Sequence, residues 1–470
     1  MSLEDILKKL DADVKERMRR KIPSWFSDAG IPGSYPGSRL VFPSSLSTQQ
    51  CSSEPAALYK ASVAVASISS VANSKSFSEL RSLRPLPLSP ASSLRENLFT
   101  TGPAGSVGDS GSPKISNFWG DSPGVDTSSK DFCLQQKRIA DLTGGLGVDS
   151  WAFSKCFGKI LYNEANPELA AAVKHNFEVL GCDNIVVSNK LLEPGNLQDI
   201  LGDFKPDIIY LDPARRSATG KKVFLLEDCQ PDVLTLKEEL LAAAPLLLLK
   251  LSPMADITML RQRLGQEVTG VHVVAFDGEC KELLVLMQRG HTGPATLTIH
   301  EDGTTLSFPD YYSDSTYEFT GERSQLFGES LEGKILYEPG KSITKAGLFE
   351  YPCTIGYTKL DRHTHLYIAP PSYHPDQASC HSDQASCHSD RSGGISLPGK
   401  YFKIEKVLPL QSRTIKELAK QNIAAEVSCH NIPITSEDLR KRLHTTSSAT
   451  NHIFAASTPS GNILLFTSIF

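Results

Sequence analysis

The sequence predicts an α/β protein whose middle part folds as a doubly wound, mostly parallel sheet. From Lys137 onward, apolar strand-like segments alternate with helical segments, which is the order of elements in doubly wound folds. Two segments, "PDIIYLDP" and "PLLLLKLSP", are nearly continuous apolar runs, as is typical of strands buried on both faces. The runs 271–276 and 281–287 are separated only by a tight turn, so they must pair antiparallel, since a parallel crossover needs about a dozen residues. We therefore expect a Rossmann-like, seven-stranded sheet that closes with an antiparallel hairpin.

The elements of this sheet can be assigned in order, and they predict a domain over residues 131–290. The strands are expected at "RIADL", "KILYNEA", "NIVVSN", "PDIIYLDP", "PLLLLKLSP", "GVHVVAF" and "KELLVLMQ". The first helix is expected at "DSWAFSKCF" and the second at "PELAAAVKHNFEVLG". The second helix should end at Gly181, because glycine readily adopts the left-handed conformation of a helix C-terminus.

The residues before the sheet predict a helical unit and a disordered insertion. Apolar residues recur at helical spacing from Leu3 to Met18, and a second helix should begin after Ser52, so residues 1–70 predict an N-terminal helical domain. Residues 74–130 are rich in Ser, Gly and Pro without sustained periodicity. Such a segment cannot bury enough apolar area to offset the entropy of ordering it, so we expect disorder there.

The residues after the sheet predict small α+β domains, one over 291–370 and one over 397–470. The first includes a β-hairpin around Asp302–Gly303. The second reads strand, helix, strand, helix, hairpin, and its nine Lys/Arg exceed its five Asp/Glu. Between them, 372–396 is a low-complexity insertion with an exact tandem repeat of DQASCHS. A duplicated block is more often a sequence expansion than a zinc site, so we expect no metal at His374, Cys380, His381, Cys387 and His388.

Composition excludes several classes of protein. The 470 residues carry a net charge of −5, which argues against a protein that coats nucleic acid, although a local basic patch remains possible. Ten cysteines without a C-x-x-C pair indicate reduced thiols rather than a disulfide framework. The charged N-terminal segment has no signal-like apolar core, and no apolar run approaches the roughly 20 residues of a membrane span. We therefore expect a soluble, cytoplasmic protein.

The segment "IADLTGGLGVDSWAFSK", Ile139 to Lys155, predicts a ligand-binding loop between a strand and a helix. Its glycines let the backbone turn tightly and approach a ligand, which the helix N-terminus then faces. No Gly-Lys-Ser/Thr follows, which excludes a P-loop, and Ser150 stands where a dinucleotide fingerprint needs its third glycine. Asp141 before the loop suits the ammonium of S-adenosylmethionine better than a pyrophosphate. A loop without a ligand is the remaining alternative.

Acids follow two further strands. Glu164 ends the second strand about 20 residues after the loop, where an acid accepts hydrogen bonds from ribose hydroxyls of either NAD or S-adenosylmethionine. Asp212 and Pro213 end the fourth strand and match the start of the Asp/Asn-Pro-Pro-aromatic motif of enzymes that methylate exocyclic amines. Ala214 and Arg215 depart from that motif. Arg215 and Arg216 could hold a phosphate or stack on a base, and a plain surface turn is the alternative. Lys250, at the end of the fifth strand, is a candidate for lining the pocket without an assigned role.

Together these features resemble the class I S-adenosylmethionine-dependent methyltransferases, in which the seventh strand inserts antiparallel beside the sixth. The whole chain resembles a bacterial family that joins an N-terminal helical part, a methyltransferase domain, a ferredoxin-like domain and a C-terminal THUMP-like domain. This resemblance rests on "QCSSEPAALYKA", "ADLTGGLGVDSW", "LDPARR", "LSPMADI", "YEPGKSITKAGLF", "LDRHTHLY" and "LPGKYFKI". The methyltransferase domain of that family is similar to the trimethylguanosine-synthase type, which methylates guanine N2 in RNA.

The resemblance implies S-adenosyl-L-methionine as cofactor and RNA, either tRNA or rRNA, as substrate. It implies cofactor binding by Asp141, Thr143, Gly145, Gly147, Glu164, Ser188 and Asn189, the last two near the adenine. It implies catalytic positions at Asp212, Pro213 and Arg215, with Asp212 orienting the nucleophile. THUMP domains present RNA to attached catalytic domains, so Arg440, Lys441 and Arg442 form either an RNA-binding surface or a solvated helix face. A catalytically inactive RNA-binding protein and an NAD-dependent oxidoreductase remain as alternatives.

Overall fold

The computed structural model describes residues 3–26, 39–81, 134–215, 226–308, 330–373 and 397–469. Most of the segment predicted to be disordered lies outside these ranges. Residues 374–396 also lie outside, including the histidines and cysteines considered for zinc. Within the described ranges, no group of three or more His, Cys, Asp or Glu is arranged to hold a metal ion.

The helices and strands of the described residues are numbered in chain order. The helices are α1 (Leu3–Lys21), α2 (Ser45–Gln50), α3 (Glu54–Arg81), α4 (Val148–Ser154), α5 (Pro167–Val179), α6 (Leu197–Leu201), α7 (Val233–Ala243), α8 (Ile257–Leu264), α9 (Lys341–Ala346), α10 (Tyr351–Thr354), α11 (Ser412–Leu418) and α12 (Ser436–Leu443). The strands of the larger sheet are β1 (Arg138–Asp141), β2 (Lys159–Asn163), β3 (Ile185–Ser188), β4 (Ile208–Leu211), β7 (Leu246–Leu251), β8 (Val268–Phe276), β9 (Glu279–Gln288), β10 (Thr296–Glu301) and β11 (Thr304–Phe308). A two-residue pair is formed by β5 (Ala214–Arg215) and β6 (Cys229–Gln230). The strands of the smaller sheet are β12 (Ile335–Pro339), β13 (Thr358–Asp361), β14 (Thr364–Ile368), β15 (Gly399–Pro409), β16 (Glu426–His430), β17 (Asn451–Thr458) and β18 (Gly461–Ile469).

The larger sheet has the strand order β11-β10-β8-β9-β7-β4-β1-β2-β3. Strands β3, β2, β1, β4 and β7 run parallel to one another. Strand β9 runs antiparallel between β7 and β8, so the predicted closing hairpin is confirmed as the pair β8–β9. The parallel directions of the first five strands and the antiparallel hairpin that follows them are those expected from the sequence.

Two strands extend this sheet beyond the seven that the sequence predicts. Strand β10 pairs parallel with β8, and β11 returns antiparallel beside it. Leu297 and Ile299 of β10 are fully buried, which explains why the hairpin stays with the larger sheet. The sheet therefore continues past the predicted domain boundary at residue 290, to Phe308.

The N-terminal helices cover one face of the larger sheet together with α4 and α5. Helix α3 reaches Arg81, beyond the predicted domain end at residue 70 and into the segment predicted to be disordered. Its buried alanines at 57, 61 and 64 allow it to lie close to the sheet. The N-terminal helices thus share one apolar core with the sheet.

The opposite face of the sheet is covered by α6, α7 and α8, and its core continues into the residues after β11. The carboxylate of Glu301, at the end of β10, accepts hydrogen bonds from the backbone N–H groups of Lys341 and Ser342 at 3.0 and 2.9 Å. It thereby caps α9, where a negative charge is stabilised by the helix dipole. A Cβ atom on Gly340 would overlap this carboxylate, which gives a reason for the glycine in "YEPGKSITKAGLF".

The smaller sheet has the order β13-β14-β12-β15-β18-β17-β16, with α11 and α12 packed beside β16. Its last part follows the predicted order of strand, helix, strand, helix and hairpin. In the described part of the chain, no helix has both the length and the apolar character to cross a membrane.

Candidate active site

The polar residues singled out by the sequence meet at the carboxyl edge of the parallel strands. Asp141 ends β1, Glu164 follows β2, Asp212 follows β4, and the glycine loop connects β1 to α4. Ligands of open α/β sheets bind at this edge, because the connections there leave a crevice above the strand ends. The hydrogen bonds and burial of each residue determine which groups a ligand at this edge could contact.

The glycine loop is shaped by contacts below it and by its backbone angles. Gly144 lies against the ring of Tyr162, and a Cβ atom at this position would be 2.1 Å from that ring. Gly145 and Gly147 have φ values of 52° and 79°, which favour glycine. The hydroxyl of Tyr162 donates a hydrogen bond to the carbonyl of Gly145 at 2.6 Å. The space beside Gly145 is open, because a Cβ atom there would have no neighbour nearer than 4.0 Å outside the adjoining residues.

Asp141 is buried under this loop, with an exposed fraction of 1%. Its carboxylate accepts hydrogen bonds from the N–H of Thr143 at 3.2 Å and from the hydroxyl of Ser150 at 2.7 Å. Burial raises the pKa of Asp141 to about 8, although both hydrogen bonds act in the opposite direction. Ser150, which departs from the dinucleotide fingerprint, thus serves to hold the acid in place.

Glu164 connects the glycine loop to the helix that follows β2. Its two carboxylate oxygens accept hydrogen bonds from the N–H groups of Gly145 at 2.9 Å and Asn166 at 2.8 Å. An ionised carboxylate offers about four acceptor positions, so these bonds leave capacity for a ligand hydroxyl. The residue therefore fits the expected ribose contact while also fixing the loop.

Ser188 and Asn189 lie beside Glu164. The Ser188 carbonyl accepts the N–H of Glu164 at 3.2 Å, and the Asn189 side chain donates to the Glu164 carbonyl at 2.6 Å. Both residues also line a groove of about 520 Å³ along β3, whose far end is formed by residues such as Arg138 and Phe204. Ser188 and Asn189 lie at the part of this groove nearest Glu164, and their contact with an adenine stays a prediction.

Asp212 is tied to the glycine loop and to the neighbouring strand. Its N–H donates to the hydroxyl of Thr143 at 2.6 Å, and its carboxylate oxygen Oδ2 accepts from Lys250 Nζ at 2.5 Å. The Asp212 side chain is 37% exposed, whereas that of Lys250 is 13% exposed. Pro213 is buried, and the backbone of Arg215 pairs with Cys229 in the β5–β6 ladder. Arg216 lies outside the described residues.

Sequence reasoning missed a set of buried charged side chains behind Asp212. Lys60 of α3 is fully buried, and its Nζ lies 2.6 Å from Glu282 of β9 and 3.3 Å from Asp149 of α4. The Asp149 carboxylate also accepts from the hydroxyls of Tyr210 at 2.8 Å and Ser52 at 3.0 Å. One feature of the sequence could have indicated these residues, namely a charged residue inside an apolar run. Lys60 stands in "AALYKASVAVA" and Glu282 stands in "KELLVLM".

Two sequence families match the C-terminal half of the chain. The THUMP domain-like family matches residues 399–468, and a ferredoxin-like domain matches residues 336–372. The chain joins these domains to a methyltransferase-type sheet. The combination expected from the sequence resemblance is thereby confirmed.

One solved structure is similar to nearly the whole chain. A crystal structure described as a candidate methyltransferase from Porphyromonas gingivalis W83 is 25% identical, with a TM-score of 0.63, over 97% of this chain and 88% of that one. An rRNA methylase from Streptococcus thermophilus matches with 13% identity and a TM-score of 0.25, over 33% of this chain and 88% of that one. No curated protein matches the chain in sequence.

Proposed function

We propose that the protein transfers a methyl group from S-adenosyl-L-methionine to a base in RNA. The observation that carries the proposal is the convergence of Asp141, Glu164 and Asp212 around the glycine loop at one edge of the sheet. The strand order with β9 antiparallel between β7 and β8 supports the same conclusion. The likeness to the candidate methyltransferase over nearly the whole chain adds to it.

The residues at this edge fit the methyl donor. The buried carboxyl of Asp141 suits a positively charged ammonium, and Glu164 suits the two hydroxyls of a ribose. The open space beside Gly145 allows the ligand to approach the backbone. When bound, S-adenosylmethionine supplies an electrophilic methyl group on a sulfonium sulfur. A dinucleotide would instead place a pyrophosphate near Asp141, and a pyrophosphate, unlike an ammonium, does not stabilise the ionised form of this carboxyl.

Asp212 orients the acceptor at the same edge. Its carboxylate follows β4, faces solvent in part, and is fixed to the loop through Thr143. A carboxylate accepts a hydrogen bond from an N–H group and so holds an amine with its lone pair directed away from Asp212. Holding the reacting atoms in a near-attack geometry is worth several kcal/mol of the barrier, on the order of 7–11 kcal/mol at most.

RNA is the proposed acceptor because of the C-terminal domain. Residues 399–468 are THUMP-like, and the helix α12 presents Arg440, Lys441 and Arg442 on an exposed face. Cations on one face attract the phosphate backbone. The exposed face of α12 is therefore the surface on which we expect RNA to bind.

Two measurements test the proposal. Calorimetry with S-adenosylhomocysteine and with NADH should show binding of the first and not of the second. Incubation with labelled S-adenosylmethionine and total RNA should label a nucleotide that digestion then identifies. Binding of NADH alone would replace the proposal with a redox function. Binding of S-adenosylhomocysteine without labelled RNA would retain the donor and reject RNA as acceptor.

A further inference from the structure

A chain of charged side chains extends from the exposed carboxylate of Asp212 into the core. Lys250 Nζ lies 2.5 Å from Asp212 Oδ2 and 4.0 Å from Glu282 Oε2. Glu282 Oε1 in turn lies 2.6 Å from Lys60 Nζ. The four residues come from the end of β4, from β7, from β9 and from the N-terminal helix α3. They form one connected path between the N-terminal unit and the candidate active site.

This chain of charges reaches solvent at its Asp212 end. Lys60 is fully buried, Glu282 is 3% exposed, and the side chain of Lys250 is 13% exposed. A buried ion pair is often no more stable than well-packed apolar residues of similar volume, because removing the charges from water is costly. Stability alone therefore does not account for these charges, and their exposed end at Asp212 is where they can act.

The contacts fix one oxygen of the Asp212 carboxylate and leave the other available. Oδ2 is held by Lys250, and the N–H of the same residue is held by Thr143. Within the described ranges, Oδ1 has no hydrogen-bond partner. Burial lowers the pKa of Lys250, but the carboxylates of Asp212, Glu282 and Asp149 outweigh it and raise that pKa overall. The Lys250 ammonium therefore stays charged and keeps donating its hydrogen bond to Asp212 Oδ2.

We propose that Lys250 is a positioning residue that directs Oδ1 of Asp212 toward the acceptor, and that Lys60 of the N-terminal helix holds Lys250 in place through Glu282. The inference rests on the proposed function, since Asp212 is the residue it serves. It makes helix α3 a component of the active site rather than only a cover for the sheet.

The test compares Lys250→Met with Lys250→Arg in the full-length protein. Lys250→Met should lower kcat for labelled methyl transfer to total RNA by about 100-fold, as a misplacement near 1 Å does. It should leave KM and the affinity for S-adenosylhomocysteine nearly unchanged. Lys250→Arg keeps a cation at this position and should restore most of the turnover. Lys137→Met is the control variant. It removes the cation of the Lys137–Asp207 pair, which lies at the amino ends of β1 and β4, and it should leave kcat unchanged.

The contribution of α3 is tested with Lys60→Met/Glu282→Gln, which removes one charge of each sign. The double variant should have a lower kcat than the wild type, as Lys250→Met does. Its affinity for S-adenosylhomocysteine should be unchanged. A readout without turnover is a double-mutant cycle of unfolding midpoints for Lys250→Met and Asp212→Asn. The two changes should be clearly non-additive, unlike those of Lys137→Met and Asp207→Asn.

The outcomes separate the two proposals. A wild-type protein that neither binds S-adenosylhomocysteine nor labels RNA rejects the proposed function, and the inference falls with it. An active wild type with an equally active Lys250→Met variant rejects the inference alone. An equal loss in Lys250→Met and Lys250→Arg, with unfolding midpoints that are additive, would also reject it.

Discussion

Both faces of the larger sheet bury apolar side chains, but the face covered by α3 and α4 also buries a network of charged side chains. On the face covered by α7 and α8, strand residues such as Leu247 and Leu249 pack among other apolar side chains. On the face covered by α3 and α4, Lys250 of β7 and Glu282 of β9 project into a charged network. Successive residues of a strand point to opposite faces, so β7 alone carries both environments.

This difference separates what the fold needs from what the site needs. The apolar face would hold the sheet together in a protein of any function, because its stability comes from buried area. The charged face requires partners for every buried ion, since a buried charge without a partner costs several kcal/mol, roughly 3–5 kcal/mol for a broken pair. Substitutions on the apolar face should therefore lower stability, whereas substitutions in the charged network should lower turnover.

The largest expected effect is the loss of turnover in Asp212→Ala. Because we propose that this carboxylate orients the acceptor, its removal should lower kcat by at least about 100-fold. Binding of S-adenosylhomocysteine should be nearly intact, as calorimetry would measure. Asp207→Asn is the matched control, because Asp207 pairs with Lys137 at 2.8 Å just before the same strand begins. Unchanged activity in Asp212→Ala would contradict the assignment.

The next largest effect is expected at the glycine loop, in Gly145→Val. The side chain would enter the open space beside the loop, and calorimetry should show affinity for S-adenosylhomocysteine reduced by about 100-fold or more. Gly278→Val is the matched control, since Gly278 in the β8–β9 turn also has a positive φ, 70° against 52°, and open space around it. If both variants bind the ligand alike, the cofactor does not lie against this loop.

The convergence of three acids at one edge of the sheet could be predicted from the sequence because each of them follows the end of a strand. Asp141, Glu164 and Asp212 each come directly after an apolar run, and the carboxyl ends of parallel strands share one edge. The closing hairpin was likewise determined by a turn too short for a crossover. These features depend only on local order along the chain.

The charged network could not be predicted in the same way. Lys60 and Glu282 are separated by 222 positions, and nothing local indicates that a helix before a long insertion lies against β9. The strands β10 and β11 are predicted as a hairpin. The pairing of β10 with β8 could not be predicted, because it depends on which edge strand of the larger sheet is left unpaired. Contacts of this kind follow from packing, which the spacing of residues does not encode.

A change on the apolar face should reduce stability without reducing turnover. Leu247 is fully buried and lies three residues before Lys250 in the same strand. Leu247→Ala should lower the free energy of unfolding by about 2–5 kcal/mol, as denaturant titration would measure. Turnover for each folded molecule should stay near the wild-type value. A loss of turnover as large as that of Lys250→Met would remove the distinction between the two faces.

A smaller effect is expected from the titration of Asp141. Its pKa of about 8 in the folded protein exceeds the unfolded value of 3.8, so burying this group makes the protein less stable as pH rises from about 4 to 8. At pH 7 the carboxyl is mostly protonated, and a bound ammonium favours the charged form. Binding of S-adenosylhomocysteine should therefore release close to one proton at pH 7. The affinity of the protein for S-adenosylhomocysteine should rise with pH up to about 8.

Calorimetry in two buffers of different ionisation enthalpy would count this proton. Asp141→Asn is the matched variant, because the amide keeps the shape but cannot titrate. Wild type should release more protons than Asp141→Asn at pH 7, and the difference should vanish at pH 9. Equal proton release from both proteins at pH 7 would show that Asp141 does not respond to the ligand.

The smallest expected effect concerns the face of α12. Arg440 and Arg442 are exposed, whereas Lys441 is paired with Glu437 at 2.7 Å. If this face contacts phosphates, replacing both arginines with Gln should weaken binding of labelled total tRNA and lower the salt slope by about 1 for each lost contact. Arg413→Gln on α11 is the control, because Arg413 is also exposed but paired with Glu417 at 3.0 Å. An unchanged salt slope in the double variant would identify the α12 face as merely solvated, and RNA would then have to be sought on another surface of the second sheet.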